Sequence, residues 1–317
     1  MIDFRYHLVS IVSIFMALAV GIVLGAGPLK GTIGDTLTEE VTQLREDRTQ
    51  LRADLDAAQK AGVVRDEFTE DALARLVGGT LTGTKVALVS LPNAEADQVS
   101  AVADALGASG ATVVSRTSVD DSWVPEGDDA SAQQSQLATD LRRSMGLPQA
   151  TEGQGSPLDD VLASALLAKD AAAPTDAAKA ALERLGDAGL VDLETADLVR
   201  ADAAVVVGAP VSGGVVERRD LVARRFASLA AALDRAGNGA VLASDVGVSG
   251  FQGASSVVRA ARGDAAITRD LSTVDDLSVP LGRVSVVYAL DQQLAGGVGQ
   301  YGVGDGVSAG YPPVPAS

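Results

Sequence analysis

From Leu8 to Leu29 the chain carries no charged residue, and the run LVSIVSIFMALAVGIVLGAGPL predicts a membrane-crossing helix. At ~1.5 Å per residue it spans roughly 33 Å, enough for a hydrocarbon core of ~30 Å. The rival reading is a cleaved signal peptide. Its apolar core would run ~7–15 residues before an A-x-A-like site, whereas this run is longer and its best cut would leave Pro28 just after Gly27. An uncleaved anchor is therefore expected. Small residues recur every fourth position within it, at Ser13, Ala17, Gly21 and Gly25. Such a row lies on one helix face, and Gly21-x-x-x-Gly25 lets two backbones approach closely; small residues are also simply common in such helices.

Beyond the anchor the pattern changes period. GPLKG (27–31) is expected to break the helix, and a second helical stretch runs from about Asp35 to Lys60. Its apolar residues Leu37, Val41, Leu44, Leu51, Leu55 and Ala58 alternate four and three apart, with Arg48 filling the gap. In heptad terms Val41 and Leu55 are a positions, Leu37, Leu44 and Leu51 are d positions, and Arg48 is a polar a position. Glu40 and Asp47 then occupy g positions, and Arg45 and Arg52 the e positions five residues later. A parallel homodimer would pair Glu40 with Arg45 and Asp47 with Arg52 across the seam; an antiparallel one would oppose like charges. The alternative is an amphipathic helix packed on its own globular domain. Another helix, Asp66–Val77, is expected after Gly62, with Phe68, Ala72, Leu73 and Leu76 on one side, ended by Gly78-Gly79.

From residue 80 onward short apolar runs alternate with amphipathic stretches. Lys85–Leu91, Ala111–Ser115, Ala203–Val207, Gly239–Ser244 and Val284–Tyr288 read as strands; Ala94–Leu106 and Asp220–Arg235 read as helices, the latter with Leu221, Phe226, Leu229 and Leu233 inward. Strand, helix and strand with short connections predict a parallel sheet. About 85 Ala-rich residues between the second and third strands hold helical pieces at 132–145, 157–169 and 176–188. They read as a helical insertion or lid, with 146–157 as loop. The expected fold is thus α/β: an N-terminal transmembrane helix (1–30), a coiled-coil stalk (31–79), and a mainly parallel sheet flanked by helices (80–317) with an insertion at about 118–200. The tail Gly296–Gly310 reads as flexible or wrapped over the surface.

Composition narrows the chemistry. The chain has 42 acidic and 25 basic residues, a net charge of −17, no Cys, one His and three Met. Without Cys there is no disulfide, thiolate nucleophile or Zn–Cys site. With the one histidine at His7, neither a Ser-His-Asp triad nor a multi-His metal site can be built. An acidic chain repels phosphates, so nucleic acid is not an expected partner. Residues 1–30 carry Arg5, Lys30 and Asp3, a formal +1, so the remainder carries −18. Arg5 before the span against Asp35, Glu39 and Glu40 after it favours a cytoplasmic N-terminus and an extracytoplasmic C-terminal domain in the cell membrane.

Candidate sites in the α/β part are few. The Gly-rich loops at 208–214 and 245–253 follow predicted strands, where α/β proteins bind ligands, but neither is a G-x-G-x-x-G or P-loop motif and both read first as plain turns. Asp120-Asp121 and Asp275-Asp276 could hold a hard cation weakly and read first as solvated loops. Glu217-Arg218-Arg219-Asp220 reads as a charged helix start. No catalytic residue, cofactor site or metal site is assigned, and the protein is expected not to be an enzyme.

One resemblance is specific. Arg5-x-His7-x-x-Ser10, then Phe15-x-Ala17-Leu18-Ala19-x-Gly21-Ile22-Val23-Leu24-Gly25, leads into a coiled coil and an α/β domain. Leu271–Leu277, Gly282 and Gln300-Tyr301-Gly302 follow in the C-terminal part. Over the whole layout the chain resembles the actinobacterial MctB-like family of copper transporters, which includes SteB-like members. The ratio of 20 Arg to 5 Lys suits a GC-rich actinobacterial genome. The resemblance implies two roles. One is copper efflux, including a proposed outer-membrane pore. The other is a membrane-anchored partner whose coiled coil engages a cell-wall peptidoglycan hydrolase, together with a SteA-like protein on the cytoplasmic side, in cell division. Copper favours thiolate, thioether and imidazole ligands, and after residue 30 the chain offers one, Met145. A transmembrane barrel needs many ~10-residue alternating strands, unlike the short continuous runs here. The reading is therefore a non-enzymatic dimeric scaffold held by membrane lipid at residues 8–29, with a copper-homeostasis component of the envelope as the alternative.

Overall fold

A computed structural model describes residues 4–26, 29–148, 155–169, 173–194, 199–245 and 255–315; the side chains of 26–38 lie outside the described set. Two compact units divide the chain, Met1–Arg65 and Asp66–Ser317.

The first unit is helical. Helix α1 (Phe4–Ala26) contains the apolar window Phe4–Gly25, of mean hydropathy 2.6, long and apolar enough to cross a membrane. Helix α2 runs unbroken over Leu29–Val77, 49 residues. This corrects two sequence expectations. The helix resumes at Leu29 rather than near Asp35, and Gly62 does not divide it. A single glycine costs a helix interior only about 1 kcal/mol, and Ala57, Ala58, Gln59, Lys60 and Ala61 before it are good helix formers. The first residues of the expected break, 27–28, lie outside the described residues.

The end of α2 belongs to the second unit. There Val77 is fully buried, and the turn through Gly79 (φ +82) redirects the chain. Tyr288 Oη donates to Leu76 O at 2.6 Å, and Arg283 pairs with Glu70. Ala72 and Leu73 are half-buried as expected, whereas Phe68 and Leu76 are exposed.

The second unit is a three-layer α/β sandwich. Strand β1 (Lys85–Ser90), helix α3 (Ala96–Ala108) and strand β2 (Thr112–Val119) form the expected parallel unit. A 3-10 turn at Asp121–Trp123 leads to α4 (Asp128–Ser144), α5 (Pro157–Leu166) and α6 (Asp176–Asp187), then β3 (Val191–Leu193). Next come β4 (Ala203–Gly208), α7 (Val216–Ala236), β5 (Ala240–Ser244), α8 (Val257–Arg262), α9 (Ala265–Thr268), β6 (Ser272–Val274), α10 (Pro280–Leu294) and β7 (Gln300–Tyr301). The sheet order is β3-β2-β1-β4-β5-β6-β7, parallel throughout except for β2 with β3.

Both faces of the sheet are covered, which is why its strands read as continuous apolar runs. Ala204, Val206, Ala240 and Leu242 point into a core shared with α4 to α9; Val205, Val207, Val241 and Ala243 point into a second core under α3 and α10. Strand order reverses at β1 and β4, so the carboxyl ends of these strands open a crevice of the kind that hosts ligands in doubly wound folds.

Four sequence expectations change here. Val284–Tyr288 is not a strand but the middle of α10. That helix is buried nearly all round, and a fully buried helix shows the same continuous apolar run as a buried strand. The insertion is not a lid, because α5 packs against α7 and buries seven of its ten residues within the core. Residues 149–154 of its expected loop lie outside the described residues. The tail is not merely surface wrapping: Gln300–Tyr301 joins the sheet beside β6. Within α7, Phe226, Leu229 and Leu233 are buried but Leu221 is exposed, since the helix begins four residues earlier than expected.

Candidate functional site

The candidate interface residues sit on the two helices of the first unit. On α1, Ser13, Ala17, Gly21 and Gly25 form an exposed row; a Cβ built at Gly21 or Gly25 meets nothing within 4 Å. The Ser13 hydroxyl donates back to Val9 O at 2.9 Å, so the one polar group of the row is satisfied inside its own helix. On α2, Val41, Leu44, Leu51 and Leu55 are 38%, 66%, 69% and 57% exposed, and helical periodicity sets them on one side with Arg48. Glu40, Arg45, Asp47 and Arg52 are exposed beside them. The Leu37 side chain lies outside the described residues. An apolar row left uncovered on a long polar helix is chemically suited to another helix and to little else.

The second unit holds a cavity of about 810 Å3 beyond the carboxyl ends of β2 and β4. Its walls come from the 3-10 segment, α4, the turn before β3, the β4–α7 loop and the first turns of α7. Val124, Leu137, Leu190 and Val211 supply apolar surface; Gln133 and Gln134 add amides. Arg218 reaches across the rim, donating to Val124 O at 2.7 Å and Pro125 O at 3.2 Å and pairing with Glu126 at 3.3 Å. Arg219 donates to Gly214 O at 2.8 Å. Arg218 thus holds the rim together, while Arg219 ties the first turn of α7 to the loop before it. Val211–Gly214 of the Gly-rich loop 208–214 form one wall, while 246–253 of the other loop lie outside the described residues.

One member of each acidic pair, Asp120 and Asp275, is structural. Asp120 accepts from Ser122 N at 2.9 Å and caps the 3-10 turn, which holds its carboxyl below the usual range. Asp275 is fully buried and accepts from Arg262 Nη1 at 2.6 Å, Val303 N at 2.6 Å and Gly304 N at 2.9 Å. Arg262 also donates to Thr273 Oγ1 at 2.8 Å and Tyr301 O at 2.7 Å. Gln300 donates to Leu271 O at 3.0 Å and accepts from Thr273 Oγ1 at 2.6 Å. A Cβ at Gly302 would collide with the Asp275 carboxylate, and one at Gly282 with the Asp276 carbonyl. The C-terminal motif residues Leu271–Leu277, Gly282 and Gln300-Tyr301-Gly302 therefore assemble into one clasp that closes the sheet. No group of three or more His, Cys, Asp and Glu side chains able to hold a metal occurs among the described residues. Met145 packs against the core at the end of α4.

Two carboxyl groups escaped the sequence reading. Burial pushes Asp159 up to about 7, against the opposing effect of hydrogen bonds from Ser156 N and the Trp123 indole. Burial likewise raises Asp234 to about 6, opposed by the hydrogen bond from Ala240 N. Only one local signal marked the first: Ser156-Pro-Leu-Asp159 is a capping-box sequence, and both of its bonds are formed. The cavity had no such signal, because its walls are brought together from segments up to about 100 residues apart.

Comparison with known proteins adds a whole-chain likeness. A family profile described as "Copper transport outer membrane protein, MctB" matches residues 1–312. A protein of Mycobacterium tuberculosis (strain ATCC 25618 / H37Rv) named "Copper transporter MctB" is 32% identical over 318 residues, covering 96% of this chain and 98% of that one. Its namesake in Mycobacterium leprae (strain TN) is 30% identical over 322 residues, covering 98% of each. The Mycobacterium bovis protein of the same name is 32% identical over the same span as the tuberculosis one. Of the two roles the resemblance implied, copper transport is the one these names carry.

Proposed function

The chain belongs to the MctB family, and on that footing we propose that it is a membrane-anchored, non-enzymatic scaffold of the cell envelope that works as a parallel dimer. The apolar helix α1 and the family description fit membrane association. In this reading α1 crosses the cell membrane with its N-terminus inside, and the acidic α/β domain stands outside. The uncovered row Val41, Leu44, Leu51 and Leu55 on α2 is the observation that supports it most directly. The α1 row with Gly21 and Gly25 would pack the anchors, and Glu40–Arg45 and Asp47–Arg52 pairs would set the register. The helix at 35–60 then serves as the contact element for a cell-wall peptidoglycan hydrolase, with a SteA-like protein on the cytoplasmic side.

A direct test uses the absence of native cysteine. Val41→Cys in membranes should form a disulfide-linked dimer on mild oxidation, because an a position faces its own copy in a parallel pair. Good expression without crosslinking would rule the dimer out.

The names of the relatives favour a second reading, a copper-homeostasis component of the envelope. With Met145 half-buried against the core and His7 at the anchor, soft ligands for a copper site are scarce. The copper reading then works through envelope integrity rather than through a site on this chain. Affinity purification from membranes tests the scaffold: a hydrolase or SteA-like protein in the eluate supports it, and stoichiometric copper without either overturns it in favour of copper held by the chain itself.

A further inference from the structure

Asp159 is fully buried at the start of α5. Its Oδ1 accepts from Trp123 Nε1 at 2.9 Å and its Oδ2 from Ser156 N at 2.8 Å. Both partners can only donate. The arrangement suits an ionised carboxylate with two acceptor oxygens. A protonated one carries an O–H on one oxygen, and that oxygen then serves poorly as an acceptor, so one of the two bonds must weaken.

The surrounding charges do not neutralise it. On α5 itself, Asp160 takes both nearby guanidinium groups, Arg142 of α4 at 2.7 Å and Arg235 of α7 at 3.7 Å. Arg225 of α7 is exposed and acts on Asp159 only at a distance. On α6 the charged residues Asp176, Lys179, Glu183, Arg184 and Asp187 are exposed, as are Asp120 and Asp121 beside Trp123. Burial therefore prevails and brings the group to titrate at about 7. Trp123 links this carboxyl to the cavity. Asp121, Ser122, Val124 and Pro125 around it all line the rim, and Val124 O receives Arg218.

We propose that Asp159 is a proton-operated latch: when ionised it ties the 3-10 segment at Trp123 to the start of α5, and when protonated it releases one of the two and loosens the cavity rim. The cavity's shape then depends on pH near neutrality without any histidine. This device stands on the α/β unit alone and is independent of whether the stalk dimerises.

Trp123 is the protein's one tryptophan, so its emission reads the latch directly. The full-length protein in nanodiscs should show an emission transition with a midpoint between about pH 6 and 8. Asp159→Asn should flatten it, while Asp234→Asn, which removes the other raised carboxyl, should leave it in place. A flat wild-type profile from about pH 5 to 8.5, or a transition that survives in Asp159→Asn, overturns the proposal. Should Asp159→Asn fail to fold, as judged by circular dichroism, the wild-type Ser156 amide decides. Its hydrogen-exchange protection, corrected for intrinsic rate, should change across the same midpoint, and constant protection overturns the proposal.

Discussion

Asp275 shows how much a single buried charge can organise. Its carboxylate gathers Arg262 and the N–H groups of Val303 and Gly304, and so fixes the last strand and the turn after it. Removing one member of a buried pair strands the other in a low-dielectric site, which costs about 3–5 kcal/mol. Asp275→Asn should therefore lower stability by roughly that amount in denaturant titration. Gly302→Ala should also destabilise, because φ +128 and the adjacent carboxylate both exclude a Cβ. The acids with raised pKa values give a pH dependence of definite sign. Between the unfolded carboxyl value near 4 and the folded values of about 6 for Asp234 and 7 for Asp159, the native state binds more protons than the unfolded one. Stability should thus fall as pH rises from about 4 to 7 and level off above it. Thermal unfolding across that range measures the slope, and Asp159→Asn should remove the larger share, on the order of a few kcal/mol.

At the scale of elements, what could be read from the sequence depended on period and length. The two N-terminal helices were legible as helices because 22 uncharged residues and a sustained four-and-three apolar spacing both favour that conformation. Strands β1, β4 and β5 were legible as apolar runs between turn residues. Val284–Tyr288 was not, since four β-branched or aromatic residues around Ser285, all buried, carry no period; Pro280, at the first turn of α10, was the available cue. Strands β3, β6 and β7 have only three, three and two residues, too short for any pattern, and their pairing partners fix them. The buried role of α5 and the walls of the cavity were likewise set by tertiary packing. Gly62 illustrates the limit of local punctuation: it reads as a break and sits mid-helix. A Cβ there would meet only Arg65 Nη2 at 3.8 Å, ordinary contact. Gly62→Ala should therefore stabilise α2 by about 0.5–1 kcal/mol, seen as slower amide exchange on either side of residue 62.

For the molecule as a whole, chemistry and family name pull in different directions. The relatives are named for copper, while this chain concentrates its soft ligands at His7, Met1 and Met16 in the anchor region and buries much of Met145. Its seven-stranded sheet is sealed by helices on both faces and its C-terminal motif is a structural clasp, while the apolar surface of α1 and the apolar row of α2 are left exposed. That combination makes association, rather than ligation or catalysis, the central claim. Native mass spectrometry of the full-length protein released from nanodiscs tests it most directly. Two chains and no copper are expected, with the dimer lost in a Leu44→Asp/Leu51→Asp variant that keeps its α/β fold; a monomer, or a stoichiometric copper adduct on each chain, would overturn the scaffold.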